Sequence, residues 1–123
     1  MTTATTGKDI ARARELAAAI EAQAGCRCVI DARNVNPPCL LIVPIPARDY
    51  SAGMGTAGGG YVVTWSIWAM SPGPGNLDAA VVLGDLVDAV AELLPGITTL
   101  PTAYTVPGRD PTPAVLITFT ERL

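Results

Sequence analysis

YVVTWSIWAM (Tyr61–Met70), then SPGPGN, then LDAAVVLGDLVDAVAELLPG (Leu77–Gly96) is the stretch on which the fold turns. In its first ten residues, Tyr61, Val63, Trp65, Ile67 and Ala69 fall on one side of an extended chain. Val62, Thr64, Ser66, Trp68 and Met70 fall on the other. Both sides carry large apolar groups, so this predicts a central strand covered by helices on one face and by some partner on the other. SPGPG (Ser71–Gly75) is turn material, and Asn76 is a good N-cap for a helix from Leu77 to Leu94, stopped by Pro95 and Gly96.

That helix has an inverted charge pattern. At 3.6 residues per turn, Asp78, Asp85, Asp88 and Glu92 collect on one narrow ridge, and nearly all the rest of the circumference is Leu, Val and Ala, with Gly84. A surface helix usually has a narrower apolar stripe and a broad polar remainder. The expectation is a helix buried on most sides, with one acidic ridge in water. A solvated face accounts for such a ridge; the wall of a channel or a partner-facing surface is the sharper reading. A divalent-metal site is disfavoured, because such sites draw oxygens from several elements.

Outward from this centre, Lys8–Ala24 repeats with helical period. Ile10, Ala13, Leu16, Ala17, Ile20 and Ala24 line one side, Thr6 is placed as N-cap and Gly25 as the stop. Residues 1–7 read as a loose start. Cys28–Ala32 reads as a short edge strand and Cys39–Val43 as an apolar strand ended by Pro44 and Pro46. Ala47–Gly60, with five glycines, reads as one long loop joining two strands of a hairpin, far beyond the usual 2–5 residues. Thr102–Val106 and Ala114–Thr120 read as a closing strand pair around the turn PGRDPTP, in which Arg109 and Asp110 lie. The sum is a single α+β domain over residues 1–123: two helices packed on a mixed or antiparallel sheet of four to five strands, with one long hairpin loop.

The sequence has 123 residues, enough for one core. Half of them are hydrophobic and 15% are charged, against about 25% in a typical domain. So few charges leave part of the exterior to meet other protein. A net charge of −3 provides no basic face for nucleic acid. With no histidine, Ser-His-Asp and Cys-His nucleophiles and His-ligated metals are excluded. Cys26, Cys28 and Cys39 are odd in number and lack zinc-knuckle spacing, so they read as reduced, buried thiols. The glycines from Gly53 to Gly60 lead into a strand and lack the Lys-Ser/Thr pair of a phosphate loop. Neither catalysis nor a metal nor a cofactor is expected. There is no apolar leader at the start and no run of about 20 apolar residues, which predicts a chain made in a cytoplasm.

The succession of an amphipathic first helix, an apolar strand ending near Pro44, a long polar-glycine loop, a ten-residue strand with tryptophans, an N-capped helix LDAAVVLGDLVDAVAELLPGI and a closing strand pair ending ITFTERL resembles the small tail terminator proteins of long-tailed bacteriophages. The resemblance runs from about Lys8 to Leu123 and rests on order, length and pattern. It implies a virion protein of the phage tail and neck, assembled in the host cytoplasm. Such a protein forms a homohexameric ring that caps the tail tube, ends its polymerisation and offers the joining surface for the head. The implied partners are further copies of the chain, the major tail tube protein and the head–tail connector. DNA passes through the ring without being specifically bound, and no membrane is involved. On that reading Asp49, Tyr50 and Met54 of the long loop touch the tail tube, and Asp78, Asp85, Asp88 and Glu92 line the lumen. The alternatives are a neighbouring neck or head-closure protein, or a small ferredoxin-like ligand-binding regulatory domain.

Overall fold

The computed structural model describes residues 7–50, 61–72, 77–105 and 110–122. Helix α1 (Lys8–Ala24) is followed by strands β1 (Cys28–Val29), β2 (Cys39–Ile42), β3 (Ala47–Asp49) and β4 (Val62–Met70), helix α2 (Leu77–Leu93), and strands β5 (Thr98–Tyr104) and β6 (Thr112–Arg122). The six strands form one mixed sheet in the order β1-β2-β4-β6-β5, with β3 also paired to β4. Only β1 and β2 run parallel to their immediate neighbour. The α+β expectation holds, with six strands in place of four to five.

Strand β4 is the spine of the sheet. Its register sets Ile67 against both Ile42 and Ile117, and Trp65 against Phe119. Strict alternation sends Val63, Trp65, Ile67 and Ala69 to the helix-covered face, where they are fully buried with Leu40, Ile42 and Ile117. Ala13, Leu16, Ala17 and Ile20 of α1 and Leu86 and Val90 of α2 close this core from above. Each large aliphatic side chain taken out of water there contributes about 1.5–3 kcal/mol. On the opposite face a smaller group, Val35, Cys39, Leu41, Met70 and Ala114, is flanked by Trp68 and Tyr104. Trp65 is therefore the core tryptophan and Trp68 belongs to the second face.

The helix α1 forms as its apolar stripe dictates, but its N-cap is Gly7, without a capping side chain; Thr6 lies outside the described residues. Gly25 ends it in the left-handed region (φ 64°), where its N–H reaches the Glu21 carbonyl and a side chain would be strained. The strand expected over Cys28–Ala32 is two residues long. Asp31 takes the Arg33 N–H on its carboxylate and turns Ala32–Asn34 into a 3-10 helix instead.

The segment read as one loop from Ala47 to Gly60 begins as a strand. Ala47, Arg48 and Asp49 pair with Thr64, Val63 and Val62. Pairing to the long β4 supplies what their own propensity does not. Strand β5 starts at Thr98, not Thr102, and carries Pro101 in its middle, which an outermost strand tolerates because its outer N–H has no partner in the sheet. Strands β4 and β5 run parallel, bridged by α2, with β6 inserted between them. Among the described elements this is the one β-α-β unit, whereas a ferredoxin-like domain has two.

Candidate functional site

The acidic ridge of α2 lies where the spacing predicts. Asp78, Asp85, Asp88 and Glu92 are all exposed, on the side turned away from buried Ala79, Leu86 and Val90. Glu92 accepts a hydrogen bond from Nε2 of Gln23 at 2.8 Å, tying the end of α2 to α1. Asp78, Asp85 and Asp88 enter no ion pair among the described residues.

The prediction that α2 is buried on most sides fails for the single chain. Leu77 is 79% exposed and Val81 56%. Two helices cover the sheet only in part, and no described residue covers the outer face of α2 at Leu77 and Val81. Val81 follows Asp78 by three residues and precedes Asp85 by four, so it sits inside the ridge. The ridge is thus a mixed apolar and acidic surface, not a purely anionic one.

Of the three residues expected at a tail-tube contact, Asp49 ends β3, Tyr50 is exposed just beyond it, and Met54 lies outside the described residues, as does Arg109. Tyr50 is held in place. Its hydroxyl accepts a hydrogen bond from Nη1 of Arg48 at 2.7 Å, and its ring lies 5.2 Å from that of Tyr61. Arg48 also stacks over Tyr61, 4.7 Å from the ring centroid, and its Nε donates to Asp9 Oδ2 at 3.0 Å. A second bond, from Nη2 of Arg48, goes to the same oxygen. The other Asp9 oxygen is buried with no hydrogen-bond partner among the described residues, and its place in the first turn of α1 puts it in the favourable field of the helix N-terminus. Tyr50 and Tyr61 therefore close the two ends of the segment between them on a base bolted to α1.

Arg48 is a residue the sequence reading passed over. The signal for it is the alternation of Arg48 with Ala47 and Asp49, visible only once β3 is recognised as a strand.

A third feature was not foreseen. Beside β1 at the far edge of the sheet, an open groove of about 360 Å³ runs between the flank of α1 and the strand, lined by apolar Ala17, Cys28, Val29 and Ile30 with Arg14, Asp31 and Asn34. Arg14 at its rim is exposed and enters no ion pair among the described residues, whereas Asp31 at the other end is paired with Arg33.

The cysteines around that edge are free thiols. Burial pushes Cys28 up to about 12 and raises Cys26 and Cys39 as well, so all three are protonated at neutral pH and poor nucleophiles. The Cys26 Sγ donates to the Pro38 carbonyl at 3.3 Å. Among the described residues no group of three or more Cys, Asp or Glu is placed to hold a metal ion. Nor is any described helix long and apolar enough to cross a membrane.

No protein-family model matches the chain, and no curated protein matches it in sequence.

Proposed function

We propose that this chain is a structural subunit that assembles with copies of itself into a ring capping the tail tube of a long-tailed bacteriophage, where it ends tail polymerisation and presents the surface for head joining. The observation that carries the reading is the outer face of α2. A helix exposing Leu77 and Val81 on a domain so poor in charge is built to be covered by protein. Support also comes from the braced base formed by Arg48, Tyr50 and Tyr61. It holds Asp49 and Tyr50 in place at the start of the segment that this reading assigns, with Met54, to the tube contact. The net charge of −3 suits a ring through which DNA slides without being held. In the virion such a ring would sit between tail tube and head–tail connector and would need neither catalysis nor a cofactor.

The test is negative-stain imaging of the purified protein, alone and mixed with uncapped tail tubes. Rings with a central hole that sit on tube ends are expected. Rings that bind the connector but ignore tubes would move the chain to a neighbouring neck position. A compact dimer without a hole, stabilised by a metabolite, would replace the reading with a ligand-binding regulatory domain. Deleting Ser51–Gly59 is expected to leave a folded protein that no longer caps tubes; normal capping by that variant would remove the segment from the contact.

A further inference from the structure

The alternation along β4 calls for a cover on both faces of the sheet, and the two helices supply one. On the other face the register draws an unbroken apolar row across five strands. Val29 stands beside Leu41, Leu41 beside Trp68, Trp68 beside Leu116, and Leu116 beside Leu100. Leu41 is buried in the small cluster with Val35, but the row opens toward β5: Trp68 and Leu116 are half-buried and Leu100 is 60% exposed. Next to the row stand Ser66, Thr118 and Thr98, and beyond them Thr64 and Thr120. The threonine hydroxyls serve one another. Thr64 and Thr120 share a hydrogen bond of 3.1 Å, and Thr98 and Thr118 share another. A hydroxyl already bonded within its own sheet loses little when water is removed, so these rows can be dried at small cost. Charges stand only at the rims, where Arg27 precedes β1 and Asp49 and Arg122 flank Val62. Between the rims no described residue of β2, β4, β5 or β6 puts a charged side chain on this face.

A face without charge offers nothing to a partner recognised through ion pairs. It is also the face on which copies of a chain of net charge −3 meet without repulsion, whereas two α2 ridges would set carboxylate against carboxylate. Its size suffices. Five strands at a spacing of about 4.8 Å, over the roughly 23 Å that the seven residues of β5 span, give two such faces on the order of 1,000 Å² to bury, the size at which a specific contact holds. We propose that this face packs on the same face of a second copy, sheet on sheet about a two-fold axis, with Trp68, Leu116 and Leu100 at the centre of the contact. Two sheets meet in this way with their inner side chains interdigitated, and tryptophan is the side chain that contributes most at such a centre. The proposal goes beyond the capping reading and does not rest on it. A two-fold contact closes at two copies, whereas a ring needs a head-to-tail contact through other surfaces, such as the outer face of α2. Where both contacts form, rings come in pairs.

The test is Leu100→Glu, with Val81→Glu on α2 as the control outside the face. Both positions are exposed in the single chain, so folding is spared, as circular dichroism checks. Sedimentation velocity and native mass spectrometry follow the mass over a concentration series, and tryptophan emission is read on the same samples. Trp65 is fully buried in the single chain, so any change with concentration comes from Trp68. The unaltered chain is expected to double in mass as its emission moves to shorter wavelength, and Trp68→Phe should abolish that movement. Leu100→Glu places an unpaired charge in the contact and is expected to weaken the doubling at least roughly tenfold, while Val81→Glu leaves it intact. If the unaltered chain never doubles, or if Leu100→Glu doubles as readily as it does, this face is not the interface. Single rings that cap tubes and ignore Leu100→Glu would overturn the inference and leave the capping reading standing. A dimer without a hole that Leu100→Glu breaks would uphold the inference and remove the capping reading.

Discussion

Arg12 of α1 and Glu121 of β6 stand 109 positions apart in the sequence and meet through three hydrogen bonds, Nε to Oε2 at 2.9 Å, Nη2 to Oε1 at 2.8 Å and a longer one from Nε to Oε1 at 3.3 Å. Glu121 Oε2 also accepts the indole N–H of Trp65 at 2.8 Å. One carboxylate thus joins the first helix, the central strand and the last strand. It satisfies the polar end of the largest side chain in the core, which would otherwise be buried unpaired. Glu121→Ala is expected to cost about 1.5–3 kcal/mol in urea unfolding and to change the emission of Trp65 in the folded state. A loss below about 0.5 kcal/mol would mean that the junction contributes nothing.

The same junction predicts an acid limb of stability. Burial pushes the Glu121 carboxyl up, but the hydrogen bonds from Arg12 and Trp65 and the charge of Arg12 outweigh it and hold the group below the usual glutamate range. A group depressed in the folded state stabilises fully above its unfolded value of about 4.3, and that stability is lost as pH falls through the folded value. The unfolding midpoint should therefore hold steady near neutrality and drop below about pH 4. Glu121→Gln should flatten that drop; an unchanged acid limb in this variant would place its origin elsewhere.

Thiol labelling should be strongly ordered. Cys26 is half-buried at the surface, whereas Cys28 and Cys39 are buried on opposite faces of the sheet and all three are held protonated. N-ethylmaleimide at neutral pH should modify Cys26 slowly, and Cys28 and Cys39 only on unfolding, as read by peptide mass spectrometry. Equal labelling of all three in the native protein would contradict the packing of this edge.

Truncating two aliphatic residues of the last strand pair should separate the covered face from the open one. Ile117 is fully buried between β4 and the helices, so Ile117→Ala is expected to cost about 2–5 kcal/mol. Leu100, on β5 opposite Leu116, is 60% exposed, and Leu100→Ala should stay within about 0.5 kcal/mol. Chemical denaturation of the two variants under the same conditions decides; equal losses would mean that the open face is covered in solution.

What the sequence disclosed followed from periodicity. The alternation from Tyr61 to Met70, the stripe on α1 and the acidic spacing on α2 are local patterns, and each element appears where its pattern lies. What it concealed depends on partners distant in the chain. Ala47–Asp49 is short, polar and followed by glycines, and becomes a strand only because β4 extends past β2 and offers free pairing positions. Pro101 hid the first half of β5, since a proline in a strand signals its end unless the strand is outermost. Trp65 and Trp68 could be assigned to opposite faces, yet only the register against Phe119 and the helices above decides which is core. The Arg14 groove and the Arg12–Glu121 junction join residues whose separation leaves no mark on any local window.

Pro101, midway along the outermost strand, has a consequence for aggregation. A chain this rich in valine, isoleucine and alanine invites stacking of sheet upon sheet by backbone zippering, the route to fibrils. One flank of the sheet withholds a donor at its midpoint, and the opposite flank, β1, is two residues long. Neither border makes a good template for an incoming strand. Recognition between copies is thereby diverted from indiscriminate hydrogen-bond ladders to side chains, where shape and charge limit which surfaces can meet.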